Sequence, residues 1–157
     1  MNMPRVLLIN DNAIFNTLMQ DVFGLDRDTS GWTLETVITL QGFLPRIREL
    51  DEKTWDVVAL DVGMVRGIGN IIDSALLQNL VKRLDELGTP LFMISQEGSM
   101  YAEYEIRDAL EGTEYIGRIS LYDAYGLHNT YQRIVKREID LYESHRQERY
   151  THRGKEV

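Results

Sequence analysis

The sequence contains no cysteine. Disulfides, thiolate nucleophiles and cysteine-based zinc sites are therefore excluded. Histidine is scarce: His128, His145 and His152 are the three present, all late in the chain and at no metal-ligand spacing. Positive charge is in deficit, with 17 Lys and Arg against 25 Asp and Glu and a formal net charge of −8. Such a surface gains little from a phosphate backbone, so no direct nucleic-acid partner is expected. No apolar run reaches membrane-spanning length, and the run after Met1-Asn2-Met3-Pro4 is too short for a signal peptide. A cytoplasmic protein without a membrane partner is the expectation. Glycine is missing from the turn at 10–14, and the loop glycines Gly63, Gly67 and Gly69 lack the Gly-x-Gly-x-x-Gly order. Dinucleotide binding and a P-loop are thereby disfavoured.

What remains is an ordinary globular composition, 43% hydrophobic and 27% charged over 157 residues, enough for one domain with a full core. Short apolar runs alternate with helical periodicity. Arg5 to Ile9, 55–60 and 90–94 are near-continuous apolar runs, the mark of strands covered on both faces. A more polar second strand is expected over 32–40 and a fifth over 115–119. Helices are expected over 12–23 (closed by Gly24), 42–50, 71–87 (closed by Gly88), 100–110 (closed by Gly112) and from 123 to about 150. Pro45 fits only a first turn, and Gly is a usual helix stop. The alternation predicts an α/β fold with a parallel sheet and right-handed crossovers.

Ligands of open parallel sheets sit beyond the C-terminal strand ends. There the reading places Asn10 and Asp11 after the first strand, Asp61 after the third, Ser95 after the fourth, and Arg118 on the fifth. Two carboxylates suit Mg²⁺, which takes oxygen ligands and keeps several waters. A carboxylate can attack a phosphoryl group, while a hydroxyl and a cation hold its oxygens. The bland alternatives are that Asp61 binds loop amides or caps a helix, that Arg118 merely bridges to it, and that Asn12 is an N-cap.

The ordered set Leu8-Ile9-Asn10-Asp11-Asn12, then 56–64 with Gly69 beyond it, then 90–95, then Tyr115-Ile116-Gly117-Arg118, resembles the receiver domain of bacterial two-component response regulators over roughly 4–135. The resemblance implies a flavodoxin-like three-layer fold, with a five-stranded parallel sheet in order 2-1-3-4-5. It makes Asp61 the phosphoacceptor and sets Asp11, Asp61 and the Gly63 carbonyl around Mg²⁺, with Asn10 as a weak fourth contributor. Ser95 and Tyr115 become the switch pair, and Arg118 stands where the family has lysine. Asn10 in place of an acid, Arg118 for lysine, Ile119 and Val65 for prolines, and Gln96 for a small residue depart from the family pattern. Arginine's planar fork is no simple substitute for lysine.

The domain division expected is 1–140 receiver-like and 141–157 a helix extension with a basic tail (Arg146, Arg149, Arg153 and Lys155). That tail reads as solvated, or as a contact for an acidic partner. The outer turns of the last helix, with Ile139 and Tyr142, have no obvious sheet to cover, which suggests a partner or homodimer contact. The reading is thus a stand-alone receiver-like signalling domain, not an enzyme, partnered by a histidine kinase or other signalling protein and switched at Asp61. The alternative is a pseudo-receiver that serves as an interaction or oligomerisation module without phosphorylation. A Mg²⁺-dependent hydrolase is the third reading, and Asn10 weighs against it.

Overall fold

The computed structural model describes residues 4–25, 31–50, 52–96, 99–115, 119–123 and 133–145. Five strands form one parallel sheet: β1 (Arg5–Ile9), β2 (Thr33–Val37), β3 (Val57–Asp61), β4 (Leu91–Ser95) and β5 (Ser120–Asp123). Their order is β2-β1-β3-β4-β5. The helices are α1 (Ala13–Leu25), α2 (Leu40–Glu49), α3 (Ser74–Glu86), α4 (Ser99–Ala109) and α5, described over 133–145.

Successive strand residues point to opposite faces of a sheet. Leu7, Ile9, Val58, Leu60 and Met93 therefore meet Phe43 and Ile47 of α2, Leu77, Leu80 and Leu84 of α3, and Ala102 and Ile106 of α4. Val6, Leu8, Val57, Ala59, Phe92 and Ile94 face Phe15 and Met19 of α1 and Val135 of α5. Burial on both faces explains the unbroken apolar runs of the three central strands. Beside β2, Trp55 packs tilted on Phe43 with ring centroids 5.5 Å apart. Its indole N–H donates to Glu35 Oε2 at 3.0 Å, and Arg46 holds Glu35 Oε1 at 3.0 Å. Burial works against ionisation of Glu35, yet the Trp55 and Arg46 contacts outweigh it and hold this carboxyl below its ordinary range.

Local signals place the elements. Asn12 caps α1, its Oδ1 accepting from Phe15 N–H at 3.1 Å. Asp73 caps α3 by accepting from Leu76 N–H at 3.1 Å, so α3 starts later than expected and 68–72 remains in the preceding loop. Gly88, at φ 76°, ends that helix in the left-handed conformation. Arg83 of α3 reaches the C-terminal end of α2, donating to the Ile47 carbonyl at 3.0 Å and to that of Leu50, acceptors a helix cannot satisfy internally.

Three expectations are corrected. Helix α1 continues through Gly24 to Leu25. Helix α2 begins at Leu40, so Pro45 lies inside it; the carbonyl thereby left without a donor belongs to Gln41, an exposed residue that water can serve. The fifth strand is Ser120–Asp123, paired Phe92↔Ser120 through Ser95↔Asp123, and not 115–119. The last helix therefore cannot begin at 123. Its described part runs over 133–145. No helix among the described residues is long and apolar enough to cross a membrane.

Candidate functional site

The parallel register brings the C-terminal ends of β1, β3 and β4 to one rim. A cleft of about 190 Å³ opens there, lined by Asp11, Asp61, Val62, Gly63, Arg66, Asn70, Ser95 and Gln96. Asp61 closes β3 and is only 8% exposed, and Ser95 closes β4 at 4%. Asp11 stands exposed in the β1–α1 turn. Asp61, Asp11, Ser95 and Gly63 are thus brought together, as the strand-end argument requires.

Gly63 has a steric role. A Cβ there would lie 3.2 Å from Asp61 Oδ2, so the missing side chain lets the carboxylate fold back against the turn Val62–Val65. The Gly63 carbonyl accepts from Arg66 N–H at 3.4 Å, a long bond.

Asn10 is fully buried behind Asp11. Its Oδ1 accepts from Asn12 N–H and from Gln96 Nε2, both at 3.3 Å. Its backbone carbonyl accepts from Asn16 Nδ2 at 2.9 Å, while its own Nδ2 has no partner. Gln96 Oε1 in turn accepts from Asn12 Nδ2 at 3.3 Å. Gln96 is therefore tied across the rim to the β1–α1 turn and forms one wall of the cleft.

Among the described residues, Arg66 is a cleft cation that strand-end reasoning missed. Its guanidinium grips Glu105 of α4 with two nitrogens, Nη2 to Oε1 at 2.8 Å and Nη1 to Oε2, and Nη1 also donates to the Asn70 carbonyl at 3.0 Å. The available signal was that Arg66 is the one basic residue in 62–73, the segment leaving the same rim as Asp61.

Other expected site residues fall elsewhere. Arg118 lies outside the described residues, and β5 begins two positions after it. At the rim end of β5 the register sets Asp123 beside Ser95. Tyr115 is corrected: it precedes β5 and lines a separate cavity with Thr89, Pro90 and Leu91, where β4 begins, at the end of the sheet opposite Asp61. It cannot sense Ser95 directly from there. The aromatic residue within β5 is Tyr122, edge-on to Phe92 at 5.6 Å with its hydroxyl on the buried Glu138 carboxylate. Burial, and then Glu138, push the Tyr122 phenol up to about 12. Ile139 and Tyr142 also turn inward. Ile139 packs on the α1-side core, and the Tyr142 hydroxyl donates to Asp85 Oδ1 at 3.0 Å at the end of α3. Through these two residues the described turns of α5 do find a surface to cover. Arg146, Arg149, Arg153 and Lys155 lie outside the described residues.

For Mg²⁺, the cleft supplies two carboxylates, Asp11 and Asp61, with Gly63 beside them, and carboxylate oxygens suit a hydrated ion. It is a lean set. Asn10 Oδ1 is already engaged, and no group of three or more His, Asp or Glu able to hold a metal occurs among the described residues.

No protein-family model matches the chain, and no curated protein matches it in sequence. Solved structures do match. The beryllofluoride-activated receiver domain of nitrogen regulatory protein C is 17% identical at TM-score 0.58, with 90% of this chain and 98% of that one covered. A response regulator receiver protein from Burkholderia phymatum is 17% identical at TM-score 0.59, covering 87% and 95%. The phosphorylated cyanobacterial phytochrome response regulator RcpA is 12% identical at TM-score 0.54, covering 91% of each chain. In strand order, helix placement and overall shape, this chain has the flavodoxin-like fold of response-regulator receiver domains.

Proposed function

We propose that this chain is a receiver-type signalling domain in which Asp61 accepts a phosphoryl group from a phosphohistidine of a histidine kinase and thereby alters binding to a partner protein. The observation that supports it best is the placing of Asp61, Asp11, Ser95 and the Gly63 turn around one cleft at the strand ends. An Asp61 carboxylate oxygen attacks phosphorus, the N–P bond breaks, and its electron pair returns to the departing imidazole. Gly63 leaves Oδ2 room to meet the donor. The Ser95 hydroxyl, which lines the same cleft, would donate to a phosphoryl oxygen. Mg²⁺ held by Asp11, Asp61 and the Gly63 carbonyl would supply the charge that lets two anions meet. The resulting charge of about −1.5 to −2 would shift the population of conformations around the rim.

A pseudo-receiver is the second reading, favoured by the buried amide of Asn10 where an acid would bind metal and by Gln96 tied across the cleft. Incubation with acetyl phosphate and Mg²⁺, followed by intact mass, separates the two. One added phosphoryl mass that is lost in Asp61→Asn supports the phosphoacceptor. No addition at millimolar Mg²⁺ leaves the interaction module.

A further inference from the structure

We propose that Arg66 binds the phosphoryl group on Asp61, and that Glu105 competes for it, so that modification of Asp61 uncouples α4 from the β3–α3 loop. This rests on the phosphoacceptor reading of Asp61.

Arg66 and Asp61 line the same cleft. The loop that carries Arg66 has backbone bonds of its own besides the guanidinium's contact with the Asn70 carbonyl. Gly67 N–H donates to the Ile71 carbonyl and Asp73 N–H to that of Val65, both at 2.8 Å. Arg66 and Ile72 form an antiparallel bridge. Asn70, at φ 60°, and Gly69, at φ 74°, make the tight turn between them. A change of partner at the guanidinium therefore gives up the Asn70 contact but leaves the backbone bonds of the loop in place.

At rest the Arg66 charge is matched by Glu105, and the two side chains are only 15% and 13% exposed. Both partners are thus poorly screened, and the pair joins the rim to α4. A phosphoryl group offers more negative charge than the Glu105 carboxylate and the same two-pronged geometry, which guanidinium favours. Once Arg66 turns to it, Glu105 is left half-buried without its cation, a state that favours movement of α4 toward water. Tyr101 and Tyr104, 76% and 71% exposed on α4 beside Glu105, move with it.

Beryllofluoride with Mg²⁺ is the probe, with its affinity read from amide chemical shifts and the state of α4 from hydrogen exchange over residues 99–109. In the wild-type chain the mimic should shift Asp61 and raise exchange along α4. Glu105→Gln should bind beryllofluoride about three- to tenfold more tightly, because the competing charge is gone, and α4 should exchange faster even without the mimic. Arg66→Gln should bind at least about tenfold more weakly. A purely structural bridge predicts the opposite for Glu105→Gln: unchanged or weaker binding. If beryllofluoride shifts Asp61 while both variants keep wild-type affinity, this assignment is wrong and the phosphoacceptor reading stands. If the wild-type chain gives no response, both fall.

Discussion

Asn10→Asp would add a third acid beside Asp11 and Asp61, and the structure sets what it should do. Asn10 is fully buried, its Oδ1 accepts two hydrogen bonds and its Nδ2 has none. A carboxylate in the same shape keeps both accepted bonds, but its second oxygen takes the place of the unpartnered Nδ2 and meets no donor, so nothing is gained there. It also adds a buried negative charge behind Asp11 and Asp61. The net effect without metal is a loss of about 2–3 kcal/mol, or a fall in Tm of roughly 5–10 °C for a chain of this size. Mg²⁺ offsets this. A third carboxylate tightens the site, and an ion present at about 100 times its Kd returns ~2.7 kcal/mol. Thermal unfolding of both proteins, with EDTA and with millimolar Mg²⁺, tests this. The variant should melt below wild type without metal and gain more from Mg²⁺. Equal Mg²⁺ responses would refute the reasoning, because Asn10 would then not border a metal-binding cleft.

Two further predictions follow from local geometry. Gly63→Ala sets a methyl 3.2 Å from Asp61 Oδ2, so the variant should melt within a few degrees of wild type yet lose most phosphoryl transfer from acetyl phosphate; full activity would show that the close approach is unimportant. The Tyr122 phenol, raised from 10.0 to about 12, stays protonated in the folded chain at pH values where the unfolded chain releases its proton. Its stabilisation is complete below pH 10 and declines as pH rises toward 12. Denaturation midpoints across that range should fall less steeply in Tyr122→Phe, and an unchanged slope would remove Tyr122 as the cause.

The central strands were legible because both of their faces are covered: Val6 to Ile9, 57–60 and 91–94 carry apolar residues at every position. Asp61 and Ser95 followed directly, since each is the first polar residue after such a run. The fifth strand was not legible by the same rule. β5 is a short edge strand whose four residues are half-buried or exposed, so Ser120, Tyr122 and Asp123 give no continuous apolar signal. The segment around Tyr115, Ile116 and Ile119 looks more strand-like than the strand itself. That shift carried Tyr115 to the wrong end of the sheet. Arg66 escaped for another reason. Strand-end reasoning searches the last residue of each strand, and Arg66 enters the cleft from a loop folded back by Gly69 and Asn70.

The corrected position of β5 changes the electrostatic problem at the rim. The register sets Asp123 beside Ser95, so the described ends of β1, β3 and β5 all contribute acids: Asp11, Asp61 and Asp123. A rim of that character repels a phosphoryl donor until positive charge is brought in. A permanently free cation would relieve the repulsion, but it would also attract any passing anion. An arginine held by a carboxylate behaves differently. Arg66 is matched by Glu105 at rest, so its charge becomes available to a competitor that offers more negative charge in the same forked geometry. A phosphoryl group bonded to Asp61 meets that condition and sits where its high local concentration favours the exchange. A monovalent carboxylate from solvent does not. On this argument the Glu105 contact is a threshold: it discriminates modified Asp61 from unmodified Asp61, and it links that discrimination to the position of α4.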